Sequence, residues 1–543
     1  MRLVLFTANP RLEKSAWWPV VLATPGLSAV LIVRLVQSRD AAAILRRLRR
    51  NVRKHGWIFV PYRAAVLAGA IAGAVASRIS RRSHESSVAA APPVPVEVIE
   101  ALDIHAPDVI ERVRQWKPEL GLSIGAPVLK PALFSVPARG TLNVHLGRVP
   151  EFRGAPPGFW ELWHGATEVG ATIHWMDEGL DTGAVIEHAA APIYEHDAPS
   201  RVEARALELG LTLLPAALAR AMSGDAAGTP QPAGGNTNRA PTLKQRFALW
   251  RRLLRRRLGR RFADPLHPVK LVAASAWLTV WCPIHDFLRT LRGSHPVRVF
   301  TFHRVTDLCR DGMTVAPSTF QEQVEYIRRH HAVVGLDDAL AVLSQRTRLR
   351  RPVAVITFDD GYVSVARAAK PVLDAAGVTA TCFVCTGLAD PEARLAHDDD
   401  SPVRDWLPTM GWQELQELRA AGWHIGGHTA HHARLSAITG SELAREIEQP
   451  LAALRTLSGA AVAMAYPFGG TADITPEGVA IARASGFRAL FSNFGGENRQ
   501  GADLFALRRI DLGGDHDPLM WKAMARGLDL PSWGRRLRGR RAA

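Results

Sequence analysis

Apolar runs that stop at polar residues mark the predicted strands of this chain. In the first third, short apolar runs at 1–7, 29–33 and 120–124 alternate with a helical pattern over 104–116. Strands that alternate with helices in this way predict a parallel, doubly wound sheet. Ligand sites of such sheets lie at the carboxyl ends of the strands. The first third is therefore predicted to be an α/β domain with a site along that edge.

A second strand signal occurs in the other half of the chain. The apolar run 353–358 ends at two adjacent carboxylates, Asp359 and Asp360, and Gly361 follows them. Where a strand ends and the backbone turns, neighbouring acids can converge on one cavity. Two carboxylates that close repel each other, so the pair requires a cation or a shared proton. The alternative is that the two acids only cap a turn.

Histidines farther along the chain supply ligands for such a cation. His428 and His432 are four residues apart, a spacing that places two imidazoles on one face of a helical turn. One carboxylate and two histidines leave coordination positions open for water, as in a catalytic divalent metal site. The pattern thus favours a metal centre over a turn cap. His431 is predicted to be a solvated or packed side chain and not a ligand.

These residues resemble the polysaccharide deacetylase family. Thr-Phe-Asp-Asp-Gly-Tyr at 357–362, His-Thr-Ala-His-His at 428–432 and Ala-Tyr-Pro-Phe-Gly at 465–469 are similar to its motifs, and the likeness extends over 296–525. The resemblance implies a distorted (β/α) barrel that binds a divalent metal, with zinc favoured and cobalt, nickel or manganese as alternatives. The residues it implies are Asp359 as general base, Asp360, His428 and His432 as metal ligands, and Tyr362, Tyr466, Pro467 and Phe468 as substrate-binding residues.

Two positions depart from the motifs of that family. Its third motif begins with an arginine that orients the base, and Ala465 stands at that position. Its closing motif, a leucine-flanked histidine that serves as general acid, is not evident. Leu-Arg-Arg-Ile-Asp at 507–511 stands there instead, and His516 is a weak substitute. The metal centre is therefore a firmer prediction than the acid.

Polar residues also follow the predicted strands of the first domain. Asn143 and His145 alternate along a strand, so both point to the same face. An amide beside an imidazole can polarise a carbonyl and stabilise the negative oxygen that forms when an amine attacks it. Asp181, on a glycine-flanked loop, can orient the histidine and draw protons off through water. These three groups fit acyl transfer to an amine.

Asn-Val-His-Leu-Gly at 143–147 and the stretch 170–183, which ends Asp-Glu-Gly-Leu-Asp-Thr-Gly, resemble the formyltransferase family that uses 10-formyltetrahydrofolate. The likeness is closest over residues 100–200. It implies a Rossmann-like sheet and 10-formyltetrahydrofolate as formyl donor. The implied catalytic residues are Asn143, His145 and Asp181, and the implied cofactor-binding residues are Gly125, Val128, Leu129 and Asp177.

The length of 543 residues predicts several domains. We expect a formyltransferase-like domain at 1–222, a linker at 223–295 with a basic and apolar segment, a deacetylase domain at 296–530 and a basic tail at 531–543. The linker opens with a stretch rich in Gly, Pro, Ala and Asn at 223–242, which predicts flexibility. The linker stands where the tRNA-modifying formyltransferases continue into an RNA-binding barrel, which argues against a tRNA substrate.

The formal charge of +16 is concentrated in clusters at 46–54, 251–261 and 535–541. No aromatic platform or nucleic-acid module accompanies them, so a nucleic acid is not an expected partner. Two of the clusters adjoin apolar segments, 64–77 and 271–284, each shorter than the ~18 residues that a spanning helix needs. Both segments are predicted either to lie at an anionic membrane surface or to be buried helices.

Cysteine usage and the N-terminus indicate the compartment. Cys382 and Cys385 form a single Cys-x-x-Cys, but a strand predicted at 379–384 would turn the two thiols to opposite faces. Buried free thiols are therefore expected. The apolar start at 1–6 has neither a longer apolar region nor a cleavage site, which predicts no signal peptide. The expected location is the cytoplasm, or the inner face of the cytoplasmic membrane as a peripheral protein.

The two predicted domains suggest one function when they are considered together. A deacetylase exposes an amine on an amino sugar, and a formyltransferase adds a formyl group to such an amine. We expect a bifunctional enzyme of cell-envelope carbohydrate synthesis that acts on a nucleotide-linked or polyprenyl-linked amino sugar. One alternative is that only the formyltransferase half is active. The other is a sugar-binding scaffold at a membrane surface, without catalysis.

Overall fold

Buried apolar strands build one large sheet in each half of the chain. The computed structural model describes residues 1–37, 40, 45, 49, 52–53, 92–223, 227–263, 267–345, 348–458, 462–514 and 516–529. Contacts divide the chain into two units, Met1–Gly259 and Arg260–Ala543. The predicted apolar segment 64–77, most of the basic cluster 46–54 and all of the cluster 535–541 lie outside the described residues.

The N-terminal unit is built around a seven-stranded sheet. Its strands run β3-β2-β1-β4-β5-β7-β8, and β6 pairs separately with β9. The pairs from β3 to β5 are parallel, whereas β7 and β8 run antiparallel at the end. The chain reverses direction across the sheet beside β1, which confirms the predicted doubly wound fold. The strands are β1 (Arg2–Thr7), β2 (Ala29–Leu35), β3 (Val96–Ala101), β4 (Leu120–Ile124), β5 (Thr141–His145), β6 (Arg153–Gly154), β7 (Glu168–Trp175), β8 (Val185–Pro192) and β9 (Thr237–Asn238).

Helices cover this sheet. The helix predicted over 104–116 begins at Pro107, which is favourable because the first turn of a helix needs no amide hydrogen there. Pro199–Ser223 is long and apolar enough to cross a membrane by length and composition, yet it packs its Val202, Leu209 and Leu214 into the core. The described helices of this unit are Trp17–Leu22, Pro107–Trp116, Pro131–Phe134, Phe159–His164, Pro199–Ser223 and Leu243–Ala263.

The C-terminal unit contains a parallel sheet that curls as half of a barrel. The strand order is β18-β17-β16-β15-β14-β10-β19, with β13 beside β14. All of these pairs are parallel, as predicted for a distorted (β/α) barrel. The strands are β10 (Val297–Phe302), β11 (Arg304–Val305), β12 (Thr314–Val315), β13 (Ala332–Val333), β14 (Val353–Phe358), β15 (Thr381–Val384), β16 (His424–Gly427), β17 (Met464–Ala465), β18 (Leu490–Phe491) and β19 (Ile510–Asp511).

Packed aromatic side chains fix the ends of these strands. Phe302 and Phe358 lie side by side at the ends of β10 and β14, and Phe320 packs on both of them. Trp423, just before β16, stacks on Phe358. A dense core of this kind holds in place the residues that follow the strand ends.

The helices around the sheet are Pro317–His330, Leu336–Ser344, Lys370–Ala376 with the π turn Val365–Ala369 before it, Trp412–Ala420, Gly440–Ser458, Pro476–Ser485 and Pro518–Ala525.

The four cysteines of the chain are free and buried, which confirms the expectation of free thiols. Cys382 lies within β15, and Cys385 follows directly after the strand. The Cys385 thiol donates a hydrogen bond to the backbone oxygen of His428, at 3.2 Å. The thiol thus contributes to the packing of the neighbouring strand end.

The predicted apolar segment 271–284 belongs to a longer helix. The helix runs from His267 to Arg292 over 26 residues and contains a π turn at Trp277–Trp281. The segment was expected to be too short to span a membrane, but the whole helix is long and apolar enough to do so by length and composition. Only 11% of its most apolar window is buried, so the buried-helix alternative was also wrong for this segment.

Candidate active sites

The two adjacent carboxylates of the C-terminal unit face different partners. Asp359 and Asp360 follow β14 directly, and Asp360 adopts a φ of 70° before the φ of 73° at Gly361. This left-handed turn separates the two side chains. Asp359 faces Arg509, and Asp360 faces the histidines. Both carboxylates are buried.

Arg509 forms a buried ion pair with Asp359 through two parallel hydrogen bonds. The two guanidinium nitrogens Nη1 and Nη2 lie 2.6 and 2.7 Å from Oδ1 and Oδ2 of the carboxylate. Burial would raise the pKa of Asp359, but the charge of Arg509 outweighs burial and lowers it. Arg509 directly precedes β19, which pairs with β10, the neighbour of β14. The arginine missing at position 465 thus has a counterpart from the far end of the chain.

Asp360 lies among imidazoles. Its Oδ1 is 3.3 Å from Nε2 of His428 and 3.2 Å from Nε2 of His432. Neither carboxylate oxygen has a hydrogen-bond partner among the described residues, although both are buried. Burial would raise the pKa of Asp360, but the two histidines outweigh it and hold this pKa well below its usual range. A buried carboxylate without hydrogen bonds, facing imidazole nitrogens, fits a divalent cation.

The two histidines are positioned by a turn and not by a helix. Thr429 and His432 have φ values of 63° and 59°, so the expected helical turn was wrong. His428 follows β16, and its Nδ1 lies 2.9 Å from the backbone oxygen of Ala465. A hydrogen bond there leaves the Nε2 lone pair directed at Asp360. His431 contacts Glu446 instead, at 2.8 Å.

A third imidazole at this site was not identified from the sequence. Nε2 of His397 lies 3.7 Å from Oδ2 of Asp360, and ligand atoms of Asp360, His397 and His432 all lie within 4.8 Å of one another. His397 occupies a short turn, Ala396–Asp398, in the segment between β15 and the helix Trp412–Ala420. The hydroxyl of Tyr362 lies 2.8 Å from its Nε2. A lone histidine before three aspartates carries no motif, so the sequence offers no signal for it.

The predicted substrate-binding residues differ in exposure. Tyr362 is buried, and its hydroxyl donates to Oδ2 of Asp398 at 2.6 Å. Tyr466 and Pro467 are also buried. Phe468 is 46% exposed, and its ring centroid lies 5.0 Å from that of His432. Of these four residues, Phe468 is the one that presents an open surface beside the imidazoles.

The polar residues of the N-terminal unit also converge. Asn143 and His145 occupy β5, and Asp181 occupies a loop with a φ of 56°. Nδ2 of Asn143 donates to Oδ1 of Asp181 at 3.0 Å, and Nδ1 of His145 lies 3.4 Å from Oδ2 of the same carboxylate. Nε2 of His145 lies 2.8 Å from the backbone oxygen of Phe152. The sheet and the loop thus bring the three predicted side chains together.

His174 is a further histidine in this cluster. It lies opposite Asn143 in the β5–β7 pair, and its Nε2 is 3.2 Å from Nδ2 of the amide. The Asn143 amide nitrogen therefore contacts both Asp181 and His174. Burial would raise the pKa of Asp181, but His174 and His145 outweigh it and lower this pKa to about 2. Burial lowers the pKa of His145, although the charge of Asp181 opposes this effect.

The predicted cofactor-binding residues have different environments. Gly125 follows β4 with a φ of 58° and open space where a side chain would be. Val128 is 71% exposed, whereas Leu129 is buried. Oδ1 of Asp177 accepts hydrogen bonds from the hydroxyl of Thr182 and from a backbone amide, at 2.7 and 3.2 Å. Asp177 therefore stabilises the loop that carries Asp181.

Two family models match separate parts of the chain. Residues 39–218 match the formyl transferase family, and residues 346–490 match the polysaccharide deacetylase family. The chain joins a formyl transferase domain to a polysaccharide deacetylase domain. Membership of these two families indicates an enzyme and is consistent with bifunctional sugar modification. The formyl transferase family implies a formyltetrahydrofolate donor.

Curated relatives match the formyl transferase domain. A methionyl-tRNA formyltransferase of Syntrophomonas wolfei is 33% identical over 131 residues, which cover 24% of this chain and 42% of that protein. One of Aromatoleum aromaticum is 40% identical over 110 residues, covering 20% of this chain and 35% of that protein. The chain thus spans less than half of the length of these relatives.

Solved structures match parts of each domain. IcaB from Ammonifex degensii is 24% identical, covering 43% of this chain and 97% of that one, with a TM-score of 0.35. The formyltransferase PseJ from Anoxybacillus kamchatkensis, in complex with a UDP-linked formamido sugar and tetrahydrofolate, is 25% identical. It covers 28% of this chain and 78% of that one, with a TM-score of 0.24. Both TM-scores are low, so the family assignment rests on the sequence matches.

Proposed function

We propose that this protein exchanges acyl groups on the amine of an amino sugar. The C-terminal domain hydrolyses an N-acyl group, acetyl or formyl, with a divalent metal. The N-terminal domain transfers a formyl group from 10-formyltetrahydrofolate to the free amine. The observation that carries the proposal is the presence of two polar clusters in one chain, a half-buried one around Asp181 and a buried one around Asp360.

For the hydrolysis, we assign the metal to Asp360, His428 and His432. The bound metal would supply Lewis acidity toward the amide carbonyl and the attacking water. Asp359 accepts a proton from that water, and Arg509 keeps this carboxylate ionised and oriented. Water adds to the carbonyl carbon, the C–N bond breaks as its nitrogen takes up the proton that Asp359 accepted, and the products are a carboxylate and the sugar amine. Phe468 presents an apolar surface to the sugar.

For the transfer, we assign the chemistry to Asn143, His145 and Asp181. The amine attacks the formyl carbon, and tetrahydrofolate leaves. Asn143 and His145 stabilise the oxygen that becomes negative, which requires one present hydrogen bond of the Asn143 amide to be exchanged for one to that oxygen. Asp181, ionised at neutral pH, draws the amine proton off through water. Gly125, Val128, Leu129 and Asp177 would line the folate site.

The substrate that connects both reactions is an amino sugar. The amine that the hydrolase exposes is the group that the transferase acylates, so one sugar can serve both sites. A nucleotide or a polyprenyl phosphate can carry such a sugar. Tethering the two domains raises the local concentration of the intermediate. The use of a folate donor favours the cytoplasm or the inner face of the cytoplasmic membrane.

The test is mass spectrometry of N-acetylated and free amino-sugar carriers incubated with full-length protein, zinc and 10-formyltetrahydrofolate. Free amine from the acetylated form and formamide from the free amine are expected. Asp360→Asn should abolish hydrolysis and zinc binding while formyl transfer continues. His145→Gln should abolish formyl transfer while hydrolysis and zinc binding continue. Loss of both activities in either variant would show that the sites are not independent. No product from any carrier would support a sugar-binding scaffold.

One alternative is a chain in which only the formyl transferase domain is active. Ala465 at the position of the orienting arginine favours this alternative from the sequence. The ion pair between Asp359 and Arg509 counts against it, because the base retains an arginine partner. Formyl transfer with no hydrolysis by zinc-loaded wild-type protein would support the alternative.

A further inference from the structure

Exposed apolar side chains of this protein are concentrated in one short region. Of the 18 large hydrophobic side chains that are exposed in the described part of the chain, eleven lie between positions 247 and 291. Eight belong to the helix His267–Arg292, and three belong to the preceding helix Leu243–Ala263. Eight exposed apolar side chains on the single helix His267–Arg292 mark an interaction surface.

The helix His267–Arg292 has two different faces. One face packs on the deacetylase domain through the buried Ala274 and Cys282. The other face carries an apolar stripe at intervals of mainly three and four residues, which places its members along one side of a helix. The stripe consists of Val269, Val272, Val280, Trp281, Ile284, Phe287, Leu288 and Leu291, which are 40–70% exposed.

Polar contacts fix which face is presented. Asp286 accepts a hydrogen bond from Nη2 of Arg526 at 2.5 Å, and Arg289 forms two hydrogen bonds with Glu497 at 2.8 and 3.2 Å. The indole of Trp277 donates to the backbone oxygen of Arg526 at 3.3 Å. Trp281, which is 56% exposed, therefore faces outward, whereas Trp277 faces the domain.

Charge around the stripe favours a negatively charged partner. The helix His267–Arg292 carries Lys270, Arg289 and Arg292 against one acid, Asp286, and the basic run 251–261 precedes this helix in the sequence. Asp286 is already paired with Arg526. A net positive helix that carries an apolar stripe and an outward tryptophan is typical of helices that lie in the interface of anionic membranes. The geometry points to the helix His267–Arg292 as an in-plane anchor to an anionic lipid surface.

The same contacts argue against a helix that crosses the membrane. A crossing helix would surround Asp286 and Arg289 with lipid and remove both from their partners on the domain. An in-plane helix retains these ion pairs and buries only the stripe. The inference concerns binding alone and does not depend on the proposed activity.

The test is flotation of full-length protein with vesicles of phosphatidylcholine and phosphatidylglycerol in equal parts, and with phosphatidylcholine alone. The protein should float with the anionic vesicles, less so at high salt, and bind neutral vesicles weakly. The double substitution Val272→Asn and Phe287→Asn should weaken binding at least tenfold, because it removes apolar contact without changing charge. The matched control, Leu102→Asn, replaces a side chain that is 66% exposed outside the region and should bind as the wild type does.

Three outcomes would overturn the inference. The first is absence of wild-type binding to anionic vesicles. The second is equal binding by the wild type and the double variant, with native circular dichroism of both. The third is retention on membranes after alkaline carbonate washing, which would indicate a crossing helix. Concentration-dependent dimers that the double variant abolishes, without vesicle binding, would show that a second copy of this chain covers the stripe.

Discussion

Replacement of Arg509 by methionine tests the buried ion pair most directly. The substitution leaves Asp359 buried without its partner, while the length of the side chain is largely kept. Removing one member of a buried ion pair costs about 3–5 kcal/mol. We therefore expect the free energy of unfolding of the domain that contains β14 to fall by about that amount. Arg508→Met is the matched control, because this neighbouring side chain is exposed and its loss should cost at most about 0.5 kcal/mol.

The measurement is urea titration of the full-length protein, followed by hydrogen exchange of peptides that cover β14. This readout separates the deacetylase domain from the rest of the chain. The double variant Asp359→Asn with Arg509→Met should lose less stability than the sum of the single losses, because the two residues interact. Additive losses, or equal effects of Arg509→Met and Arg508→Met, would refute the reasoning.

The pH dependence gives a second readout of the same change. In the wild type, Arg509 lowers the pKa of Asp359, so the contribution of this carboxylate to stability is present above its unfolded pKa and is lost as the pH falls. In Arg509→Met, burial remains and the largest opposing charge is gone, so the pKa of Asp359 should be higher than in the wild type. The loss of stability on acidification should then be smaller than in the wild type. An unchanged pH dependence would contradict the assigned cause.

Two further substitutions test the imidazoles. His397→Ala should weaken zinc binding at least about tenfold in chelator competition, because this histidine lies beside Asp360. The control His431→Ala should bind zinc as the wild type does. Equal zinc affinities of the two variants would exclude His397 from the metal site. Asp181→Asn should lower the pKa of His145 further below 6.5, because burial lowers that pKa and the Asp181 charge opposes the effect. Titration of carbon-13-labelled imidazoles by NMR measures this pKa, and an increase would contradict the prediction.

Local features of the sequence determined the fold of each half and the position of each site. Apolar runs that end at Asp359, or that alternate with polar residues at Asn143, specify strands and their faces, because side chains alternate along a strand wherever it lies. The conformations of loop residues were predicted less well from the sequence. His428 and His432 share a spacing with helical pairs, but left-handed backbone at Thr429 and His432 produces a turn. Spacing alone does not distinguish these two conformations.

Only the tertiary structure decided which distant residues complete the sites. Arg509 is 150 positions from Asp359 and meets it because β19 and β14 both pair with β10. His174 reaches Asn143 through antiparallel pairing, and His397 reaches Asp360 from a loop. Strand order and loop paths follow from packing of the whole domain, and no periodicity in the sequence records them. The exposed stripe of His267–Arg292 is a further case, because the sequence marks the segment as apolar but the ion pairs of Asp286 and Arg289 decide which face remains open.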